Sequence, residues 1–371
     1  MSKAAELAAL IGSQTALSNR NLIINGAMQV AQRGTSETSV TSSGYKQAPD
    51  RWRVAGSATG TFGTWSVSQS TDVPSGEGFG ESYKLECTTA DASLAAGDNL
   101  TLQHRIEGQN LQQLSKGTSN AKSVTLSFWV KSNKTGTYIA ELRDQDNSRV
   151  YGQQYTISAS NTWEKKTLTY SGDTTGSLDN DNLDSLRVLF FLLAGTDFTS
   201  GTLPNAWATS TNANRAVGQV NLADTVGNEW YITGVQLEVG EQATPFEHRS
   251  FGDELARCQR YFQKIESLGS VAAYNAFPYT GLSRSTTIAK VSCGWITILR
   301  SSPTITFSAA SDFAVVNGTG SAKAVTATSV VRTNNNSGVV EFTATGLTAG
   351  QATYLTTNNA TDPAISVDAE L

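Results

Sequence analysis

The sequence has little charge. Of its 371 residues only 16% are Asp, Glu, Lys or Arg, compared with about 25% in a typical soluble domain. The net charge of −5 at pH 7 argues against a basic surface that would bind nucleic acid or an anionic membrane. No stretch contains the roughly 20 consecutive apolar residues that a transmembrane helix requires. We therefore expect no nucleic acid partner and no membrane insertion.

Cysteine and histidine are also scarce. The three cysteines, Cys87, Cys258 and Cys293, are odd in number and widely spaced, which argues against a disulfide framework or a thiolate metal site. We interpret them as free thiols in a protein made in a reducing cytoplasm. The two histidines, His104 and His248, each precede an arginine, and a nearby cation lowers an imidazole pKa. Since hydrolase, zinc-protease and P-loop motifs are missing as well, the sequence predicts no enzyme and no catalytic residue.

Acidic residues concentrate in short polar runs such as "RDQDNS" and "LDNDNLDS". Asp179 and Asp181 lie in the second run, and their context is typical of turn formation. Their D-x-D spacing also fits a cation site with oxygen ligands. A glycosidase would need such a carboxylate pair, but the turn context favours the structural interpretation.

Through most of the chain, apolar and polar residues alternate with a period of two. In "SVTLSFWVKS", residues 123–132, small polar residues alternate with apolar ones, as in a half-buried strand. About ten such segments between residues 21 and 250, separated by Asn, Asp, Gly and Ser clusters, predict a jelly-roll β-sandwich. The segment "LRVLFFLLAG" is apolar on both faces and is expected to be a central strand covered on both sides.

A short N-terminal helix is predicted within residues 1–20. Ala4, Leu7, Ala8 and Ile11 share one helical face. A helix of this length is not stable alone, so we expect it to be an anchor that docks on its own fold, on sister chains or on a host assembly.

A second helix is predicted to connect two β domains over residues 251–265, with Asp253 as its N-cap. Leu255, Cys258, Phe262 and Ile265 have the spacing of a short apolar stripe. This stripe suits either packing on a neighbouring domain or self-association. Residues 266–371 are again β-rich, with few charges, and predict a smaller C-terminal β domain that forms a second sandwich or a knob.

Tryptophans offer the clearest candidates for ligand contact. Trp65, Trp163 and Trp207 fall at strand starts or in loops, where an aromatic ring can stack on a sugar ring. Nothing in their spacing chooses among them. Trp129, Trp230 and Trp295 lie inside strand patterns, which indicates a core or sheet-face position.

Three segments together carry a family resemblance. They are "NLIINGAMQVAQRGTS" from Asn21, "APDRWRV" at residues 48–54, and "GVQLEVGEQATPFEHRSFGDELARCQRYF" at residues 234–262. In this order they resemble a family of tailed-bacteriophage virion proteins. The middle segments "SFWVKSNKTGTYIAEL" and "NTWEKKTLTYSG" are similar to jelly-roll carbohydrate-binding modules.

The resemblance implies a structural protein of the phage particle, assembled in the host cytoplasm. It implies a tail fibre or receptor-binding appendage that forms a homotrimer. Its partners would be other virion proteins and host surface glycans. In this arrangement the N-terminal helix docks on the virion, the jelly roll is the body and the C-terminal domain is the tip. The alternative is a capsid decoration protein or head fibre bound to the shell.

A structural calcium ion is a further implication, since some of these modules hold one between their first and last strands. Here Glu238 is the acidic residue nearest to those strands. It joins Asp179 and Asp181, which are selected by their spacing, as a candidate metal ligand. The matching strand positions are Asn25, Ala27, Gln29, Thr233, Gly234 and Val235. No other cofactor is expected.

The opening segment is interpreted as architectural. Asn25 and Gly26 would break strand pairing and allow a bulge or corner. Arg33 could pair with Asp50, and Trp52 would cover the same end of the sandwich. We expect these five residues to define the fold and not to catalyse a reaction.

Overall fold

The computed structural model describes residues 19–56, 62–266, 275–318, 320–360 and 362–371. The helical anchor expected in residues 1–20 therefore lies almost wholly outside the described residues. The chain divides into two compact units, Met1–Glu254 with Leu371, and Leu255–Glu370. Within the described ranges, none of the helices is both long and apolar enough to cross a membrane.

The first unit is built mainly from strands. In its described part these are β1 (Ser36–Val40), β2 (Gly44–Tyr45), β3 (Trp52–Gly56), β4 (Thr64–Ser70), β5 (Ser82–Thr89), β6 (Asn99–Glu107), β7 (Val124–Ser132), β8 (Gly136–Asp144), β9 (Arg149–Ile157), β10 (Glu164–Tyr170), β11 (Asp184–Ala194), β12 (Ala208–Thr209) and β13 (Glu229–Val239). Its helices are α1 (Thr196–Thr199) and the short 3-10 segments Gly108–Asn110, Gln112–Leu114, Asn212–Asn214 and Leu222–Asp224.

These strands form two antiparallel sheets. Sheet A has the order β1-β4-β5-β13-β7-β10, and sheet B has the order β12-β9-β8-β11-β6-β3-β2. Alternate side chains of both sheets meet in one hydrophobic core, which confirms the predicted mostly-β sandwich. Strand β11 is central in sheet B, with Phe190 in this core and Phe191 buried on the opposite side. The expectation of a strand covered on both sides is thus confirmed.

The opening segment forms no strand over residues 21–35, although the family resemblance predicts first-strand positions for Asn25, Ala27 and Gln29. Asn25 and Met28 both have φ of 60°, a left-handed conformation that interrupts a strand. The segment instead lies against the second half of β13, where Val235 N–H donates to the Gly26 carbonyl at 2.9 Å. A Cβ on residue 26 would lie 2.1 Å from the Val235 oxygen, so glycine is required for this close approach.

Asn25 organises the corner that the opening segment makes. Its side chain donates to the carbonyl oxygens of Val30 and Asp50 at 2.8 and 2.9 Å. The Trp52 indole donates to the Asn25 carbonyl at 3.1 Å, and Arg33 Nη1 lies 3.6 Å from Asp50 Oδ1. These contacts satisfy backbone groups that a regular ladder would otherwise have paired.

The first and last motif segments meet in the first unit. Asn21 N–H donates to Glu247 Oε2 at 2.7 Å, and Asn25 N–H donates to Glu254 Oε1 at 2.5 Å. Arg249 donates to the Asn21 carbonyl and approaches both glutamates at 3.4 Å. The sequence elements that carry the family resemblance therefore form one network of charge-assisted hydrogen bonds.

The predicted helix over residues 251–265 is wrong in its second half. Helix α2 (Phe251–Gln259) ends early, and strand β14 (Phe262–Glu266) follows. The prediction that Asp253 is the N-cap is wrong, since Asp253 lies in the first turn of the helix. Ser250 caps it instead: the Ser250 hydroxyl accepts from Asp253 N–H at 3.2 Å and donates to the Asp253 carboxylate at 2.6 Å.

The expected apolar stripe is consequently split between two elements. Leu255 and Cys258 lie on α2, whereas Phe262 and Ile265 lie on β14 and are buried. Strand pairing with a distant part of the chain overrides the helical spacing at these positions.

The second unit has two sheets in its described part. Its strands after β14 are β15 (Ala276–Ser283), β16 (Ile288–Gly294), β17 (Thr304–Phe307), β18 (Phe313–Asn317), β19 (Ala322–Thr333), β20 (Ser337–Ala344), β21 (Ala352–Thr357) and β22 (Ala364–Asp368). A 3-10 segment, Ala310–Asp312, precedes β18. The order β14-β22-β17 forms a small sheet, and β15-β16-β20-β19-β18-β21 close into a barrel. A barrel therefore replaces the second sandwich that the sequence suggested.

Candidate functional site

The outer surface of sheet A collects aromatic side chains. Along β7, Phe128 and Val130 enter the core, so Trp129 and Lys131 project to the opposite side. Sheet register places Trp129 beside Thr233 of β13 and Lys131 beside Tyr231. We define the aromatic face as this surface with its neighbouring loop residues, namely Phe79, Trp129, Trp163, Tyr231, Phe246 and His248.

One end of the aromatic face is a pocket of about 380 Å³. Trp129 lines it, together with Phe79, Phe246 and His248. The rings of these last three residues pack against one another, with centroids 4.9 to 5.3 Å apart. Burial lowers the pKa of His248, so its imidazole is neutral at pH 7. Lys165 and Glu77 add polar groups to the pocket lining.

A glycine in β13 makes room for this pocket wall. Gly234 has φ of 61°, and a Cβ at that position would lie 2.5 Å from the Phe79 ring. The backbone conformation and the close approach both require glycine. The position of Phe79 therefore depends on a residue of the sheet itself.

The other end of the aromatic face combines rings with charge. Trp163 packs edge-on against Tyr231, with centroids 6.2 Å apart, and Lys131 Nζ lies 4.3 Å from the Tyr231 centroid. Lys131 forms an ion pair with Asp72, which also accepts a hydrogen bond from the Trp163 indole at 3.0 Å. Burial raises the pKa of Asp72, but the hydrogen bonds from Lys131 and Trp163 outweigh it and lower that pKa.

This arrangement suits a ligand with both apolar and hydroxylated surfaces. Trp129 and Trp163 are each partly exposed, and an exposed ring offers a flat surface to the C–H face of a sugar. Lys165, Glu77 and the pocket backbone supply groups for hydroxyl contacts. Apolar lining with a few polar groups is the usual composition of a small-molecule site.

The three tryptophans proposed from sequence have different positions. Trp163 lies on the aromatic face. Trp65 is wrong as a ligand platform, because it is fully buried in the core and its indole donates to the Phe62 carbonyl at 3.0 Å. Trp207 lies at the edge of sheet B, where it donates to the Ser171 carbonyl at 2.9 Å and packs against Tyr151. Trp129, for which the sequence indicated a core or sheet-face position, lies on the sheet face and was not among the ligand candidates.

The sequence of β7 itself indicates that an aromatic ring lies on the outer surface of the sheet. Phe128 and Trp129 are adjacent, and adjacent strand residues point to opposite sides of a sheet. One of these two aromatic rings must therefore face outward whenever the other enters the core.

The candidate metal ligands do not come together as a site. Asp181 Oδ1 accepts from Leu183 N–H at 2.9 Å, a local turn contact, and Asp179 N–H donates to Asp146 at 3.0 Å. Glu238 is buried and accepts from Thr244 N–H and hydroxyl at 2.8 and 2.6 Å. Across the described ranges, no group of three His, Cys, Asp or Glu side chains is placed to hold a metal ion. The turn interpretation accounts for Asp179 and Asp181.

His104 belongs to the architectural corner. Its Nε2 lies 3.1 Å from both the backbone nitrogen and the carbonyl oxygen of Ile24, and the side chain is 1% exposed. Burial, followed by the charge of Arg51, lowers the pKa of His104 well below its ordinary value. The adjacent Arg105, which the sequence suggested as the cause, is not the source of this shift.

No protein-family model matches this chain, and no curated protein matches it. Among solved structures, the enzymatically active domain of bacteriophage CBA120 tailspike protein 4 matches 60% of this chain and 22% of its own, at 16% identity and a TM-score of 0.33. The chain thus spans about a fifth of that tailspike chain. TmCBM61 in complex with β-1,4-galactotriose matches 60% of this chain and 100% of its own, at 11% identity and a TM-score of 0.30.

A family 11 carbohydrate-binding module from Clostridium thermocellum, in complex with a mixed-linked tetrasaccharide, is also similar. The match covers 58% of this chain and 99% of that one, at 12% identity and a TM-score of 0.26. At these identities and TM-scores the matches carry no information on the role of any residue.

Proposed function

We propose that this protein is a non-enzymatic structural component of a tailed-phage virion, a tail fibre or receptor-binding appendage, and that the aromatic face of sheet A binds host surface glycans. The observation that carries the glycan proposal is the outward projection of Trp129 into an aromatic pocket, with Trp163 on the same sheet surface. Rings held by a rigid sheet lose little freedom when a ligand binds.

The virion part of the proposal rests on the motif segments. In the first unit, Asn21 and Asn25 of the opening motif are hydrogen-bonded to Glu247 and Glu254 of the closing motif. The segments that resemble phage virion proteins thus act together in one structural network. This is the behaviour expected if they define the fold of such a module.

A homotrimer assembled on other virion proteins completes the proposal. Several weak sugar contacts, one per copy, would together give useful avidity. The second unit exposes apolar side chains on β19, where Val330 and Val331 are 38% and 39% exposed, and such residues suit contact with sister chains. A solution mass near three times 39.4 kDa is expected, whereas a monomer that binds purified capsids would support the decoration role instead.

The glycan proposal is tested by Trp129→Ala. Full-length protein is first screened on an array of bacterial surface polysaccharides and neutral β-linked oligosaccharides, and the best ligand is then titrated by calorimetry. We expect Trp129→Ala to weaken binding at least about tenfold, a loss of ~1.4 kcal/mol. Trp207→Ala, which removes a partly exposed ring at the edge of sheet B, is the matched control and should bind normally. Equal binding by wild type and Trp129→Ala would refute the assignment.

A further inference from the structure

Three arginines lie side by side on the outer surface of sheet B. Register pairs Arg105 of β6 with Arg187 of β11, and Arg187 with Arg143 of β8. The core-facing neighbours of Arg187, Leu186 and Val188, show that these arginines point away from the core. We name this set the arginine row. Like charges directly opposite one another destabilise a sheet, so the row calls for an explanation.

The acidic residues near the arginine row neutralise only part of its positive charge. Arg187 Nε donates to Asp184 Oδ2 at 2.6 Å, and Arg105 Nη1 lies 3.7 Å from the same oxygen. Glu141 is occupied by Arg215, which donates to both of its carboxylate oxygens at 2.6 and 3.0 Å.

Arg143 is the cation that neither of these acids contacts directly. Throughout the part of the chain that the structure describes, its guanidinium makes no hydrogen bond and no ion pair, and its Nε is buried. Burial, followed by the charge of Arg215, lowers the pKa of Arg143, and the charges of Glu141 and Asp184 offset this only in part. An anion placed beside the guanidinium would relieve both effects.

A groove of about 280 Å³ lies over two members of the arginine row. Arg143 and Arg187 line it, together with Gln103 and Thr101 of β6. Gln103 is only 7% exposed, and its amide nitrogen donates to the Thr101 hydroxyl at 2.8 Å. Its Oε1 atom is buried and, within the described ranges, accepts no hydrogen bond. A buried acceptor without a partner is costly unless a ligand or water supplies a donor.

We propose that this groove binds an acidic saccharide, with the sugar carboxylate on Arg143 and a sugar hydroxyl donating to Gln103 Oε1. The planar guanidinium matches a carboxylate in a bidentate geometry. An acidic sugar supplies, in one small molecule, a carboxylate to pair with Arg143 and a hydroxyl to donate a hydrogen bond to Gln103. The site is on the opposite sheet from the aromatic face and does not depend on ligand binding there.

The test is calorimetric titration of the full-length protein with oligosaccharides that contain glucuronic, galacturonic or sialic acid, each beside its methyl ester. We expect at least one acidic oligosaccharide to bind, and its methyl ester to bind at least tenfold more weakly. Added salt should weaken the binding of the acidic oligosaccharide. Arg143→Gln should reduce binding of the acid at least tenfold, and Gln103→Leu should reduce it less. Arg284→Gln, which removes a well-exposed arginine of the second unit, is the matched control.

Thermal unfolding distinguishes a lost binding site from a variant that fails to fold. Arg143→Gln is expected to melt at or above the wild-type temperature, since it removes a like-charge neighbour from the row. The acidic ligand should raise the melting temperature of wild type but not of Arg143→Gln. Trp129→Ala should retain acid binding, so failure of the aromatic face leaves this result unchanged. The proposal is overturned if no acidic saccharide binds, if acid and ester bind equally, or if sulfate or acetate binds as tightly as the saccharide.

Discussion

The two outer surfaces of the sandwich differ sharply, although both sheets fill the same core by the same alternation. Sheet A presents rings and charges that are partly exposed, such as Trp163 and Asp72, the ion-pair partner of Lys131. Sheet B presents a charged layer held by a buried ion pair, Glu141 with Arg215. The comparison shows that the inward-facing residues determine the sandwich fold. The outward-facing residues determine what each surface can bind, and their burial determines how much each ion pair stabilises the folded protein.

The largest effect is expected on sheet B. Glu141→Gln leaves the Arg215 charge buried without its partner and should reduce the free energy of unfolding by about 3–5 kcal/mol. Denaturant unfolding followed by tryptophan fluorescence measures this. The double variant Glu141→Gln/Arg215→Met should recover most of the loss, because it removes the unpaired charge. A single variant as stable as wild type would show that the pair does not hold this surface together.

A smaller effect is expected at the wall of the aromatic pocket. Gly234→Ala places a Cβ against the Phe79 ring at a positive φ, and should reduce the free energy of unfolding by about 1–3 kcal/mol. Gly227→Ala is the matched control, since Gly227 has φ of 85° but no atom within 4 Å of a Cβ. Equal losses in the two variants would mean that Phe79 moves aside freely.

The smallest effect is expected for the Lys131–Asp72 ion pair on sheet A. Asp72→Asn removes the charge that faces Lys131; the Asp72 side chain is 44% exposed, whereas that of Lys131 is 11% exposed. Because solvent screens the pair on the Asp72 side, its contribution should be about 0–1 kcal/mol, and the free energy of unfolding measured with denaturant should change by less than about 1 kcal/mol. A loss as large as that of Glu141→Gln would erase the difference between the two surfaces.

Local patterns were sufficient to predict the sandwich and its central strand. The period-two segments and the doubly apolar β11 require only near neighbours in sequence. The contact between Arg33 and Asp50 was also anticipated, because both residues sit in motif segments that flank one end of the sheets.

The failures share a physical cause, which is dependence on distant chain segments. Helix α2 ends at Gln259 because β14 pairs with β22, about a hundred residues later. Trp65 is buried because β4 turns that side toward the core. The arginine row can be recognised only from the register of β6, β8 and β11. That register is set by the folded sheet and not by any one strand's sequence.

The central claim, that the outer surface of sheet A binds sugar, is tested most directly by fluorine NMR. Full-length protein labelled with 5-fluorotryptophan is titrated with the best glycan from the array, and resonances are assigned by single substitutions. The account predicts that the Trp129 and Trp163 resonances move with ligand, while those of the fully buried Trp65 and Trp230 stay fixed. Saturation of the protein with the Trp129 and Trp163 resonances unchanged would contradict it.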